Sequence, residues 1–243
     1  MSTPGADRFF VVGGQRCGTT SLYHALDAHP DITMARPLQP EPKRFLAANW
    51  RDVDDESVGA FATMQLHGEK SVSYLESARV AQRIAAVYPG ARIVAQVRDP
   101  VARALSHYGY TSENGLEDLP PAEAFTEQAE RRPFAEEQVA TSPYLYLRRG
   151  CYAELLEPWL HHFPEAVKVV VLEEVLADPD LLAPVQTFLG VAERSASLDA
   201  HNVGSTESVN VDGATRERLK QYYAPPNRAL EALLGRDFAL WPT

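Results

Sequence analysis

The chain contains two cysteines, Cys17 and Cys151. Two cannot form a disulfide framework, and no Cys/His spacing suggests zinc. Long apolar runs are absent too. No stretch of about 18 apolar residues occurs, so nothing is expected to span a membrane. The start, MSTPGADR, lacks a basic region followed by an apolar stretch. No signal peptide is therefore expected, and a reducing cytoplasm is the expected home. Basic residues are in deficit: 23 Lys and Arg against 33 Asp and Glu give a formal net charge of −10. That balance argues against a general nucleic-acid binder. There are no internal repeats and no low-complexity tracts. The apolar and charged fractions are ordinary, and the length suits one domain over residues 1–243 with a full core.

Apolar runs alternate with helical patterns. RFFVVGG (8–14), LHGEKSVSYL (66–75), ARIVAQVRDP (91–100) and AVKVVVLEEVL (166–176) each hold a strand. Helices are expected after Gly18, over 76–90, from Pro100 onward, and over 120–132, 152–164 and 178–190. Pro158 should kink the helix at 152–164, and Pro225-Pro226 should break the last helical stretch, 214–235, in two. Residues 32–50 are punctuated by proline and read mostly as loop, and 199–212 as a polar loop. Strands alternating with helices imply an α/β fold, P-loop-like and three-layered, with a central mostly parallel sheet flanked by helices. Ligands in such folds sit outside the carboxyl ends of the strands. Gly13–Thr20, Glu69-Lys70 and Arg98-Asp99 all fall there.

An acidic protein that binds a polyanion must gather its cations locally. Arg16, Lys43, Arg44, Lys70, Arg98, Arg103, Arg148 and Arg149 are the candidates. GGQRCGTT (13–20) nearly makes a phosphate-binding loop of the form G-x-x-x-x-G-K-[ST]. Gly13 and Gly18 have the spacing and Thr20 holds the Ser/Thr place, but Thr19 stands where lysine should be, and the cation, Arg16, lies inside the loop. Backbone N–H groups and a helix N-terminus would still face an anion. Without the lysine that reaches β- and γ-phosphates, the loop suits a short anion chain with the transferred group near Arg16. Arg98 at a strand end and Ser106 about two helical turns on would make a guanidinium–hydroxyl clamp for a phosphate. A salt bridge for Arg98 and a plain helix serine are the structural alternatives, and Arg103 reads as solvated or structural.

GGQRCGTTSL resembles the 5′-phosphosulfate loop of the sulfotransferases that use 3′-phosphoadenosine 5′-phosphosulfate (PAPS). VRDPVARALSHY (97–108) resembles their second signature, which holds the 3′-phosphate. HPDI (29–32), PEPKRF (40–45), GEKSVSYL (68–75), GCYAELLEPWLHHFP (150–164) and LLGRDFALW (233–241) follow the pattern in order. The style is that of the bacterial and heparan-sulfate-type branches. The resemblance implies sulfuryl transfer from PAPS to a hydroxyl, releasing PAP, with no metal required. Small size and the expected cytoplasmic home suggest a small-molecule or natural-product acceptor, a hydroxyl or phenol with a saccharide still open, and neither nucleic acid nor membrane is expected as partner. The resemblance places Gly14, Gln15, Arg16, Cys17, Gly18, Thr19 and Thr20 on the cofactor's 5′ end and Arg98 and Ser106 on its 3′-phosphate. It makes Glu41 the general base, with Arg16 and Lys70 neutralising charge at the transferring group. The relatives' glutamate is followed by an aromatic pair, where this chain has Arg44-Phe45. Pro40 and Pro42 should hold Glu41 in a rigid extended segment. His67, which titrates near neutrality, is the second candidate base. Glu69 is expected to pair with Arg16 or Lys70, Ser71 to donate to substrate, and Lys43 to meet an acidic acceptor or water. Two other readings stay open: a small-molecule kinase with a degenerate loop, in which Asp99 would hold Mg²⁺, and a nucleotide-binding module without catalysis.

Overall fold

The computed structural model describes residues 4–36, 41–52, 66–133, 142–198, 209 and 211–241. In chain order the described elements are β1 Arg8–Gly13, α1 Thr19–Asp27, β2 Ile32–Met34, β3 Leu66–Lys70, α2 Ala78–Val87, β4 Arg92–Val97 and α3 Pro100–Glu113. They continue with α4 Pro121–Ala124, α5 Glu127–Glu130, α6 Tyr152–His162, β5 Val167–Val171, α7 Leu172–Ala177, α8 Ala183–Leu189 and α9 Gly213–Leu234. The chain groups into two units, Met1–Val97 with Leu155–His201 and Arg98–Glu154 with Asn202–Thr243. None of the described helices is long and apolar enough to cross a membrane.

The first unit is built on a five-stranded sheet in the order β2-β3-β1-β4-β5, every pair parallel. Strands β1 and β4 bury almost every residue, as strands covered on both faces must. On one face Phe9, Val11, Val94 and Val170 pack with Leu22, Tyr23 and Leu26 of α1, Val175 of α7, and Val185 and Leu189 of α8. The apolar residues of α1 recur at helical spacing, which is why it docks by that side. On the other face the Phe10 ring meets Phe45 edge-on at 5.7 Å and Tyr88, just past α2, at 6.1 Å. The second unit has its own core, in which Val101, Ala104 and Leu105 of α3 meet Phe125, Tyr146, Leu147, Leu219 and Tyr223.

The structure departs from the sequence reading in several places, among them residues 178–190, which form a 3₁₀ turn at Pro179–Leu182 ahead of α8 rather than one helix, and α7, which the sequence reading does not include. Ile32–Met34, inside a stretch read as loop, is the edge strand β2, paired with β3 through Ile32↔Leu66. Helix α9 runs unbroken through Pro225 and Pro226. Proline there removes two backbone donors, but Leu219, Tyr223 and Leu230 are buried on both sides of the pair and dock both halves. Residues 121–130 form two four-residue helices rather than one. Pro158 is accommodated inside α6.

Candidate active site

Strand β1 ends at Gly13 and α1 begins at Thr19. The loop between them turns on two left-handed residues, Arg16 (φ 71°) and Gly18 (φ 80°). Glycine is needed at Gly18 for that φ and for space, since a Cβ would lie 2.8 Å from a Leu172 methyl. At Gly13 a Cβ would lie 2.7 Å from both the Gln96 carbonyl oxygen and the Thr19 methyl. The Gly14 N–H donates to Gln96 O (3.3 Å) and the Cys17 N–H to Gly14 O (3.1 Å), so the loop is tied to β4 and to itself. The Cys17 side chain is buried and its N–H is spent inside the loop, which leaves it a structural part there. Gln15, Arg16 and Thr20 are half-buried. Gly18 gives α1 no side-chain cap, so the first-turn N–H groups at Thr19 and Thr20 have no intrahelical acceptor. This is the arrangement that accepts an anion.

Strand β3 lies beside β1 and carries Lys70 opposite Val11. The loop and Lys70 thus leave the carboxyl ends of neighbouring strands. Lys70, only 4 % exposed, donates from Nζ to Glu41 Oε1 at 2.7 Å, and the Val72 N–H donates to Glu41 Oε2 at 3.1 Å. The structure therefore brings two of the predicted catalytic residues together as one ion pair. Glu69 does not pair with Arg16 or Lys70 as expected. It is buried, accepts from Tyr74 Oη at 2.6 Å and from Ser71 Oγ at 3.3 Å, and its Oε2 lies 3.9 Å from Arg44 Nε. Burial pushes its carboxyl above the ordinary range, and the Tyr74 and Ser71 hydrogen bonds and Arg44 offset part of that. Ser71 Oγ is thereby engaged with Glu69 and with the Lys43 N–H (3.2 Å), rather than with a substrate. Lys43 takes a left-handed backbone, φ 49°. Pro40 lies outside the described residues, as does most of the 201–209 loop.

His67, the second candidate base, is buried three residues before Lys70. Side chains alternate along a strand, so it shares a face with Glu69 and not with Lys70. With Arg8, Arg44, Glu69 and Tyr88 it lines a small cavity of about 20 Å³, room for roughly one water. The structure does not bring it to Glu41.

In the second unit Arg98 is half-buried, and Ser106 is buried on α3. Both Asp99 carboxylate oxygens are spent capping α3, on the N–H groups of Val101 (3.1 Å) and Ala102 (3.2 Å). A Mg²⁺ ligand at Asp99 would compete with that cap. Arg103 is fully buried and donates to the Tyr146 carbonyl, so it is structural and not solvated. Arg149, assigned no role from sequence, is buried beside His107, Nη1 to Nε2 3.4 Å. Among the described residues no group of three or more His, Cys, Asp or Glu could hold a metal ion. Tyr74, given no role from sequence, donates to Glu69 and accepts from the Phe45 N–H at 3.0 Å. Its only signal was an aromatic in the GEKSVSYL stretch, which reads as core.

No family model matches the chain. The chain is 30% identical over 259 residues to mouse heparan sulfate glucosamine 3-O-sulfotransferase 3B1, covering 94% of this chain and 63% of that protein. It is 29% identical over 271 residues to human heparan sulfate glucosamine 3-O-sulfotransferase 6, covering 98% of this chain and 75% of that protein. It thus spans less than two thirds of the length of the mouse relative. Among solved structures, a sulfotransferase from Alicyclobacillus acidocaldarius superimposes with a TM-score of 0.79 at 28% identity, covering 99% of each chain. Together with the parallel sheet and the lysine-free loop after β1, these likenesses place the chain in the family of PAPS-dependent sulfotransferases, of the bacterial and heparan-sulfate type.

Proposed function

We propose that this chain moves the sulfuryl group of PAPS to a hydroxyl of a small-molecule or natural-product acceptor and releases PAP. The observation that carries the proposal is the Glu41–Lys70 ion pair, 2.7 Å across, on the strand next to a loop whose helix start has no side-chain cap. That start fits an anion. The N–H groups of Gln15, Arg16, Gly18, Thr19 and Thr20, with the Arg16 guanidinium, hold the 5′-phosphosulfate end, and Arg98 with Ser106 holds the 3′-phosphate. When bound, PAPS supplies an activated sulfonate with a good leaving group. Glu41 takes the proton from the acceptor hydroxyl. Its charge is then neutralised, and the Lys70 ammonium is released from its partner to serve the departing oxygen. Arg16 and Lys70 thus provide electrostatic stabilisation where charge develops. Such a site has no need of a metal. The acceptor hydroxyl is an alcohol, a phenol or a sugar. The heparan sulfate relatives, named for glucosamine 3-O-sulfation, support including glycosides in a screen with phenols and lipids.

The test is ligand-induced stabilisation. PAP should raise the melting temperature without Mg²⁺, and more than AMP does. Arg98→Ala and Ser106→Ala should each weaken PAP by about tenfold or more while leaving AMP nearly unchanged, the loss of one charge-assisted contact. Stabilisation by Mg·ATP in place of PAP would point to a kinase. Equal losses for PAP and AMP would remove the 3′-phosphate from Arg98 and Ser106.

A further inference from the structure

The segment that carries Glu41 is fastened to one turn by three hydrogen bonds. The Val72 N–H donates to Glu41 Oε2 (3.1 Å), the Lys43 N–H to Ser71 Oγ (3.2 Å), and the Phe45 N–H to Tyr74 Oη (3.0 Å). Residues 72–74 form a 3₁₀ turn directly after β3. The direction of the last two bonds is fixed by chemistry. A backbone N–H can only donate, so each hydroxyl accepts from it and must pass its own hydrogen elsewhere. Both hydroxyls pass it to the same atom, Glu69 Oε1, at 3.3 Å from Ser71 and 2.6 Å from Tyr74. Glu69 is thus the common terminus of two relays that begin on the backbone two and four residues after Glu41.

Two further features agree. Lys43 holds a left-handed backbone, φ 49° and ψ 28°, which a lysine keeps only where its surroundings over-determine it. The bond from its N–H to Ser71 is part of that restraint. The Tyr74 ring is fully buried and meets Phe45 edge-on, with centroids 6.1 Å apart, so the hydroxyl has little freedom to turn away. We propose that Glu69, acting through Ser71 and Tyr74, is the positioning residue that sets the Glu41 carboxylate against Lys70. This rests on Glu41 being the base. Glu69, Ser71 and Tyr74 touch no substrate in this scheme. They act through the 41–45 backbone.

The test uses the full chain with Tyr74→Phe, Glu69→Ala, Glu69→Gln, Glu41→Gln and the double variant Glu41→Gln/Tyr74→Phe. PAP release from PAPS is followed at high enzyme concentration with water as acceptor, and also with the hydroxyl acceptor found by screening. PAP affinity is measured by calorimetry, and amide hydrogen exchange at Lys43 and Phe45 by NMR. Tyr74→Phe and Glu69→Ala should lower kcat by about tenfold or more with PAP affinity unchanged, the pattern of a lost transition-state interaction. Exchange at Phe45 should quicken in both. Glu69→Gln, whose amide oxygen can still accept both hydroxyl hydrogens, should recover most of what Glu69→Ala loses. In the Glu41→Gln background Tyr74→Phe should cost nothing further, because residues acting through one group are not additive. Unchanged Phe45 exchange in Tyr74→Phe would overturn the relay. So would wild-type kcat in Tyr74→Phe alongside a slow Glu41→Gln, which leaves the base assignment standing. PAP affinity falling in step with kcat would reduce the relay to general support of the fold. A fully active Glu41→Gln would remove the base assignment itself, whatever the relay does to exchange.

Discussion

Arg16 combines a chemical role with a backbone cost, and the two can be separated. Its left-handed φ of 71° suits glycine and burdens arginine by about 1 kcal/mol. Arg16→Ala should lower turnover by on the order of a hundredfold with the Michaelis constant for PAPS little changed. Arg16→Gly should be as slow yet more stable than the parent, by about 1 kcal/mol in calorimetry. Intact turnover with a raised Michaelis constant would mean that Arg16 only binds. At this scale the sequence was informative where motif position carries the geometry: Gly18 takes the left-handed turn, and Glu41 and Lys70 meet as an ion pair. It was silent on Tyr74, whose role lies in one hydroxyl meeting a backbone N–H 29 residues away. It misdirected on Glu69, because a carboxylate next to a lysine in sequence points to the opposite face of a strand. The lysine's actual partner comes from a different segment.

The starts of α1 and α2 are built differently. Helix α2 is capped by its own chain, Ser77 Oγ accepting from the Val80 N–H at 3.4 Å, whereas α1 begins on Gly18 and has no side-chain cap. Ser77→Ala should therefore cost about 1 kcal/mol of stability with no effect on PAP affinity, measured by denaturant unfolding and calorimetry. A fall in PAP affinity would show that α2 matters to the site. Most elements were readable because their apolar periods are long and bounded by glycine or proline. Among the exceptions, β2 is three residues long, too short for any period, and its strand character comes from pairing with β3. The prolines of α9 misled because a local rule about lost donors was set against two buried flanks that only tertiary packing provides.

Over the whole molecule, buried carboxyls set the response to pH. Burial raises Glu69, Asp99 and Glu130 above their ordinary values of 4.5, 3.8 and 4.5. The folded chain therefore holds protons that the unfolded chain has released. Stability from these groups is complete below the ordinary values and is lost as pH rises through the raised ones. The melting temperature should accordingly decline as pH climbs above the ordinary carboxyl values. Glu69→Gln should make that decline shallower at equal salt. An unchanged slope would mean that Glu69 is ionised in the folded state throughout. Self-repulsion from the net charge of −10 acts in the same direction, and added salt separates it. The order of strands has a consequence in time. The apolar β1 lies between β3 and β4, so its second neighbour does not exist until residue 97 has been made. At roughly 5–20 residues per second on the ribosome, several seconds pass in which the FFVV run waits with an open edge. During synthesis this protein should depend on holding chaperones far more than the finished molecule does.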